Sequence, residues 1–159
     1  PYLDELELYK EFRLDEPWDS PHNRKLINRM PDLFSDPDPA VRGSIGVGRT
    51  TFVAPVAAET VFPPREHLPE GRSVRLRDVR DGTSKTLLFV EVVPERAVVW
   101  TAPSDWEVDL ANPLQGVRRE DRPHFVTVRC DGSSQYLPNQ TDPQRLKALL
   151  TRDGREAVD

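Results

Sequence analysis

Cys130 and His124 are the obvious candidates for a nucleophile and its base, a pair that must lie within hydrogen-bond reach to act. On one extended strand the two side chains share a face, but six residues at about 3.3 Å each hold them roughly 20 Å apart. Cys130 reads instead as an ordinary small core residue, the usual place of a free cysteine. Ser84 stands in Gly82-Thr83-Ser84-Lys85-Thr86, which lacks the second glycine of a nucleophile elbow and reads as a turn. His22, His67 and His124 are scattered, with no two at the spacing that puts metal ligands on one helical face. Asp36 and Asp38 alternate with prolines and do not build the twelve-residue calcium loop. A calcium held by loop carboxylates and carbonyls stays open beside solvated acidic loops. Gly43, Gly46 and Gly48 mimic a phosphate loop only in their glycines, because no Lys-Ser/Thr end follows. The residues thus imply no catalytic group, no cofactor and no metal.

Two features remain. Glu91 sits inside an apolar run, where a carboxylate needs a strand end or an ion-pair partner more often than it does catalysis. Trp18, Trp100 and Trp106 are the candidate binding residues, since aromatics beside loops can form a platform for sugars or proline-rich peptides. Core packing is the competing use of each. Asn139-Gln140-Thr141 matches a glycosylation sequon, but Thr141 and Asp142 also suit a helix cap.

The elements that position these residues follow from periodicity. Residues 2–13 place Tyr2, Leu3, Leu6, Tyr9 and Phe12 at spacings of three and four, an amphipathic helix. Ser20-Pro21 opens a second helix that Pro31 stops. Residues 31–49 read as loop, 50–56 as a strand, 58–72 as a proline-interrupted connection and 74–80 as a short helix before the turn at Asp81-Gly82. Residues 87–93 form a near-continuous apolar run, a central buried strand beside which 97–100 should return. After a long polar connection over 102–123, residues 125–130 and 135–137 form a hairpin about Asp131-Gly132. Asp142-Pro143 opens the last helix, with Leu146, Leu149 and Leu150 as its stripe and Gly154 as its end. The expected fold class is α+β, one domain over 1–159, with a small antiparallel sheet, flanking helices and long loops.

At 159 residues the chain is long enough for one genuine core. Its sixteen prolines are roughly twice the average content of about 5% and imply many connections. A net charge of −5 argues against nucleic acid as a partner. The lone cysteine excludes an internal disulfide, and no apolar run reaches the roughly 20 residues of a membrane span. The start at Pro1, without methionine and straight into a helical pattern, is expected of a fragment of a longer precursor.

One order of motifs is more specific. Asp81-Gly-Thr-Ser-Lys-Thr-Leu-Leu-Phe-Val-Glu91-Val-Val, then Ala97-Val-Val-Trp100-Thr-Ala-Pro and Asn112-Pro-Leu, resembles the prepilin-like proteins of planctomycete-type bacteria. This is a domain family of unknown function with a C-terminal motif named H-X9-DG. Cys130-Asp131-Gly132-Ser133, Tyr136-Leu137-Pro138 and the run from Thr141 to Gly154 continue the likeness. So do Pro1-Tyr-Leu and the run from Leu14 through Trp18 to Leu26. With nine residues between it and Asp131, Asp121 stands at the motif histidine's position, so that histidine is replaced by aspartate, and His124 is displaced by three positions. Arg118-Arg-Glu-Asp-Arg-Pro123 stands where relatives are glycine-rich. A turn built on Asp131-Gly132 survives these changes, which marks the Asp-Gly part as architectural.

The resemblance implies a pilin-like domain, normally preceded by a hydrophobic helix that is absent from this chain and would be the sole link to a membrane. Its partners would be protein subunits of the same or related type, at the cell surface or elsewhere outside the cytoplasm. Three functions then compete. An assembly module requires an exposed apolar patch. A glycan- or peptide-binding module requires a cleft lined by at least two of Trp18, Trp100 and Trp106. An enzyme requires Asp121, His124 and Asp131 to converge. The assembly module is the leading expectation.

Overall fold

A computed structural model describes residues 3–155. Pro1 and Tyr2, with which the expected first helix and the family resemblance begin, lie outside them. The fold is α+β, as expected.

The first helix, α1 (Leu6–Glu11), is shorter than its periodicity suggests and buries only Leu8. Asp4 takes a φ of 58°, a left-handed conformation that no α-helix can include, so the helix starts after it. The second expected helix is wound as a 3-10 segment, Asn23–Arg29. Ser20 Oγ accepts the Asn23 N–H at 3.1 Å, and Pro31 ends the segment as anticipated.

The loop expected over 31–49 is not all loop. It contains α2 (Pro39–Ile45), whose N-cap Asp38 accepts the Ala40 N–H at 2.8 Å. The signal was an Asp-Pro pair identical to the one that opens the last helix.

The expected strand over 50–56 is in fact three two-residue strands: β1 (Arg49–Thr50), β2 (Phe52–Val53) and β3 (Pro55–Val56). Each pairs with a different partner. β2 joins β4 (Leu87–Glu91), while β1 joins β5 (Val98–Val99) and β3 runs parallel to β6 (Trp106–Glu107). Residues 97–100 therefore return beside β1 and not beside the central strand. The connection expected over 102–123 contributes β6.

β7 (His124–Arg129) and β8 (Ser134–Pro138) form the hairpin, completing an antiparallel sheet in the order β2-β4-β7-β8. Gly132, at φ 85°, supplies the left-handed residue that its turn requires. The last helix, α3 (Pro143–Leu150), is capped by Asp142, which accepts the N–H groups of Gln144 and Arg145. It ends at Thr151, whose backbone is extended, and not at Gly154.

Leu146, Leu149 and Leu150 cover one face of the sheet and pack with Leu87, Val90, Phe125 and Leu137. Each fully buried leucine contributes roughly 2 kcal/mol of apolar burial.

Candidate functional site

Trp100 follows β5 and turns its ring toward α1. Phe12 meets it edge-on at 5.8 Å between centroids, and Phe34 stacks on it at 5.6 Å. Trp100 Nε1 donates to the Ile27 carbonyl at 2.9 Å, so the ring's one polar atom is satisfied inside the fold. The close approach depends on Gly48, whose carbonyl accepts the Trp100 N–H at 3.1 Å. A Cβ on Gly48 would lie 2.7 Å from the Ile27 carbonyl oxygen.

These contacts form one wall of a cleft of about 630 Å³, completed by Leu8, Tyr9, Leu14 and Trp18. Asn23 pins the loop that carries Trp18. Its amide donates to the carbonyls of Arg13 and Pro17 at 2.9 and 3.0 Å, and its oxygen accepts the Arg13 N–H at 3.0 Å.

The charged lining residues are Glu5, Arg13 and Glu16. Arg13 donates to Glu16 at 2.9 Å and thereby holds the Glu16 carboxyl below its usual value, helped by Ser20. Thr101 also lines the cleft, and its buried hydroxyl has no partner among the described residues. The rim leaves Leu3, Tyr9 and Leu14 exposed. Such a lining suits apolar side chains, because a sugar would need many polar groups to replace the water its hydroxyls lose.

Trp18 and Trp100 therefore meet in one cleft, and Trp106 does not join them. Trp106 is 4% exposed and belongs to the core with Val53 and Val92. As a binding residue it is a misassignment: β6 carries it under the sheet, where burial of a large ring is most favourable.

The motif residues build architecture. The Asp81 carboxylate accepts the N–H groups of Gly154 and Arg155 at 2.7 and 2.8 Å, which fastens the end of the described chain to the Asp81-Gly82 turn. The Thr83 carbonyl accepts the Asp131 N–H at 3.1 Å, so the turns at Gly82 and Gly132 stand side by side. The Asp131 carboxylate is occupied by Ser133, and Asp121 is held by Arg119 at 2.5 Å.

His124 opens β7 with its ring edge-on to Tyr136 at 4.6 Å, whereas Asp131 lies beyond the strand's other end, roughly 23 Å away by strand rise. Asp121, His124 and Asp131 thus do not converge, and neither do His124 and Cys130. No group of three His, Cys, Asp or Glu side chains could hold a metal ion among the described residues.

The sequence singled out Glu91 but not its partners. Glu91 is fully buried and accepts from Arg119 at 3.2 Å, from Arg122 at 2.8 Å and from the Val126 N–H at 2.9 Å. Arg122 also reaches the buried Asp36 at 3.2 Å. Burial pushes the Glu91 carboxyl up, against the pull of the Val126 N–H and both guanidiniums. This network fastens the charged segment 118–123 to the central strand, where it offers no access to a substrate. The signal was available, since a glutamate in an apolar strand requires cations, and Arg118-Arg-Glu-Asp-Arg is the densest supply of them. Asn139 completes the fastening by donating to the carbonyls of Arg119 and Arg122, so its amide is used internally despite the sequon.

Residues 1–122 match the model of a family described as a protein of unknown function (DUF1559). No curated protein and no solved structure matches the chain.

Proposed function

We propose that this chain, which belongs to the family of unknown function DUF1559, is a non-catalytic assembly module of a cell-surface protein that docks a protein segment in its aromatic cleft. The observation that carries this reading is the cleft itself: an apolar trough between α1 and Trp100 whose rim exposes Leu3, Tyr9 and Leu14. Apolar surface gathered in one place, with polar residues around it, is the mark of a docking site.

The finer reading, a pilin-like and prepilin-derived protein of planctomycete type placed outside the cytoplasm, rests on the resemblance around Asp81-Gly82 and Asp131-Gly132 and is an argument by analogy. Attachment to a membrane through a preceding hydrophobic helix has the same ground and no other.

The pairing of Trp18 with Trp100 also favours a second reading, a module that binds peptides or glycans; within it, the apolar lining favours peptides.

Light scattering against protein concentration separates the two. Assembly requires a mean mass that climbs with concentration and falls back when Tyr9→Asp charges the rim. A monomer at every concentration would remove the assembly reading. Titration with apolar peptides and with oligosaccharides, followed by tryptophan emission, would then decide the second.

A further inference from the structure

We propose that the occupant of the cleft is the Arg72–Arg77 segment of a second copy of the chain, seated in a head-to-tail contact. The inference rests on reading the cleft as an assembly site and names the surface that fills it.

Charge is the first ground. The first twenty residues hold seven acids against two bases, a surplus of five that equals the net charge of the entire chain. Lys10, Arg13, Arg24 and Arg29 are each engaged, by Glu7, Glu16, Asp19 and Glu11 in turn. Asp4, Glu5 and Asp15 make no ion pair among the described residues, and Glu5 lines the cleft. Three acids thus stay uncompensated: Glu5 on the lining, and Asp4 and Asp15 next in sequence to the lining residues Leu3 and Leu14, an edge that suits an apolar occupant flanked by cations.

Arg72–Arg77 has that composition. Arg72, Arg75 and Arg77 are exposed and make no ion pair among the described residues. Between the last two stands Leu76, 66% exposed, an apolar side chain that its own fold leaves uncovered.

The segment is also held in shape. Leu76–Asp78 is a 3-10 turn in which the Asp78 carboxylate accepts the Arg75 N–H at 2.9 Å and the Asp78 N–H reaches the Arg75 carbonyl at 2.8 Å. Val79 is buried directly behind it, so Leu76 is presented on an anchored turn, which lowers the entropy lost on docking. The cleft, at about 630 Å³, falls in the ordinary range of binding pockets, about 300–1,000 Å³.

No residue belongs to both surfaces, so the contact is heterologous and propagates into a ring or an open filament. Arginines meeting an acidic rim add steering and make association sensitive to salt.

Complementation between two variants tests the proposal. Leu14→Arg spoils the cleft and Leu76→Glu spoils the segment, and both residues are more than three-fifths exposed, so folding is spared. In analytical ultracentrifugation each variant alone should be monomeric at concentrations where the wild type assembles. An equimolar mixture should form a dimer and nothing larger, since one partner keeps an intact cleft and the other an intact segment. Raising the salt from about 0.1 M to about 1 M, which shortens the screening length from about 10 to about 3 Å, should weaken wild-type assembly several-fold. A mixture that stays monomeric while the wild type assembles would overturn the pairing and leave the assembly reading standing. So would assembly that Leu76→Glu leaves intact. A wild type that remains monomeric throughout would overturn both.

Discussion

Glu91 and Arg119 form an ion pair at 3.2 Å with both side chains shut off from solvent. A buried pair of this kind adds little net stability over an apolar pair, but removing one partner strands the other charge. Here Arg119 keeps Asp121 and Arg122 keeps Asp36, so Glu91→Gln should cost about 1.5–3 kcal/mol, the range for hydrogen bonds to charged groups, read from urea unfolding. A loss under about 1 kcal/mol would mean that water reaches Arg119 once the carboxylate is gone.

Asp81 holds the backbone of Gly154 and Arg155. Asp81→Ala should cost about 1–2 kcal/mol, the range for charge-assisted hydrogen bonds at a partly exposed site. The loss should appear first as faster cleavage of the C-terminal segment in limited proteolysis. Unchanged cleavage would show that the clasp is incidental.

Trp100 and Trp18 share the cleft but not the same degree of support. Trp100 is gripped by Phe12, Phe34 and the Ile27 carbonyl, so Trp100→Ala should lower stability by about 3 kcal/mol as well as abolish docking. Trp18→Ala should weaken docking with a loss of about 1 kcal/mol or less. Equal losses of stability from both would contradict this division.

Burial, and after it the charge of Asp131, pushes the Cys130 thiol above its ordinary value. Less thiolate is then present at any given pH, so alkylation by iodoacetamide at mildly alkaline pH should be slower than for a free cysteine. Asp131→Asn should raise the rate. Fast alkylation at neutral pH would exclude the inert role assigned to this residue.

The Arg119 guanidinium holds the Asp121 carboxyl below its usual value. As pH falls, the unfolded chain takes up this proton first. The stability from the pair is therefore present above the ordinary aspartate range and lost as pH drops through the folded value. The stability gap between the wild type and Asp121→Asn should be open at neutral pH and closed in strong acid. A gap independent of pH would assign the effect to something other than the ion pair.

Much of the architecture was legible because local chemistry decided it. Asp142-Pro143 with the Leu146, Leu149 and Leu150 stripe could form only a capped helix. Asp131-Gly132 between alternating runs could form only a hairpin, and the apolar run from Leu87 could be satisfied only as a buried strand. α2 was legible by the same Asp-Pro rule but was obscured by the glycines that follow it. The site was half legible: three tryptophans stood out, and two of them line the cleft. Composition could not separate them, because a core tryptophan and a platform tryptophan are the same residue until their neighbours are known.

By itself the sequence determined the fold class, the capped and turned elements, the demand of Glu91 for a cation and the concentration of negative charge in the first twenty residues. All of these depend on composition or on residues near one another along the chain. Tertiary structure alone decided that residues 49–56 serve three partners, that Trp106 is core while Trp18 and Trp100 converge, and that Asp36, Arg119 and Arg122 close around Glu91. Those outcomes join residues separated by tens of positions, and such pairings are chosen by packing of the entire chain rather than by any local preference.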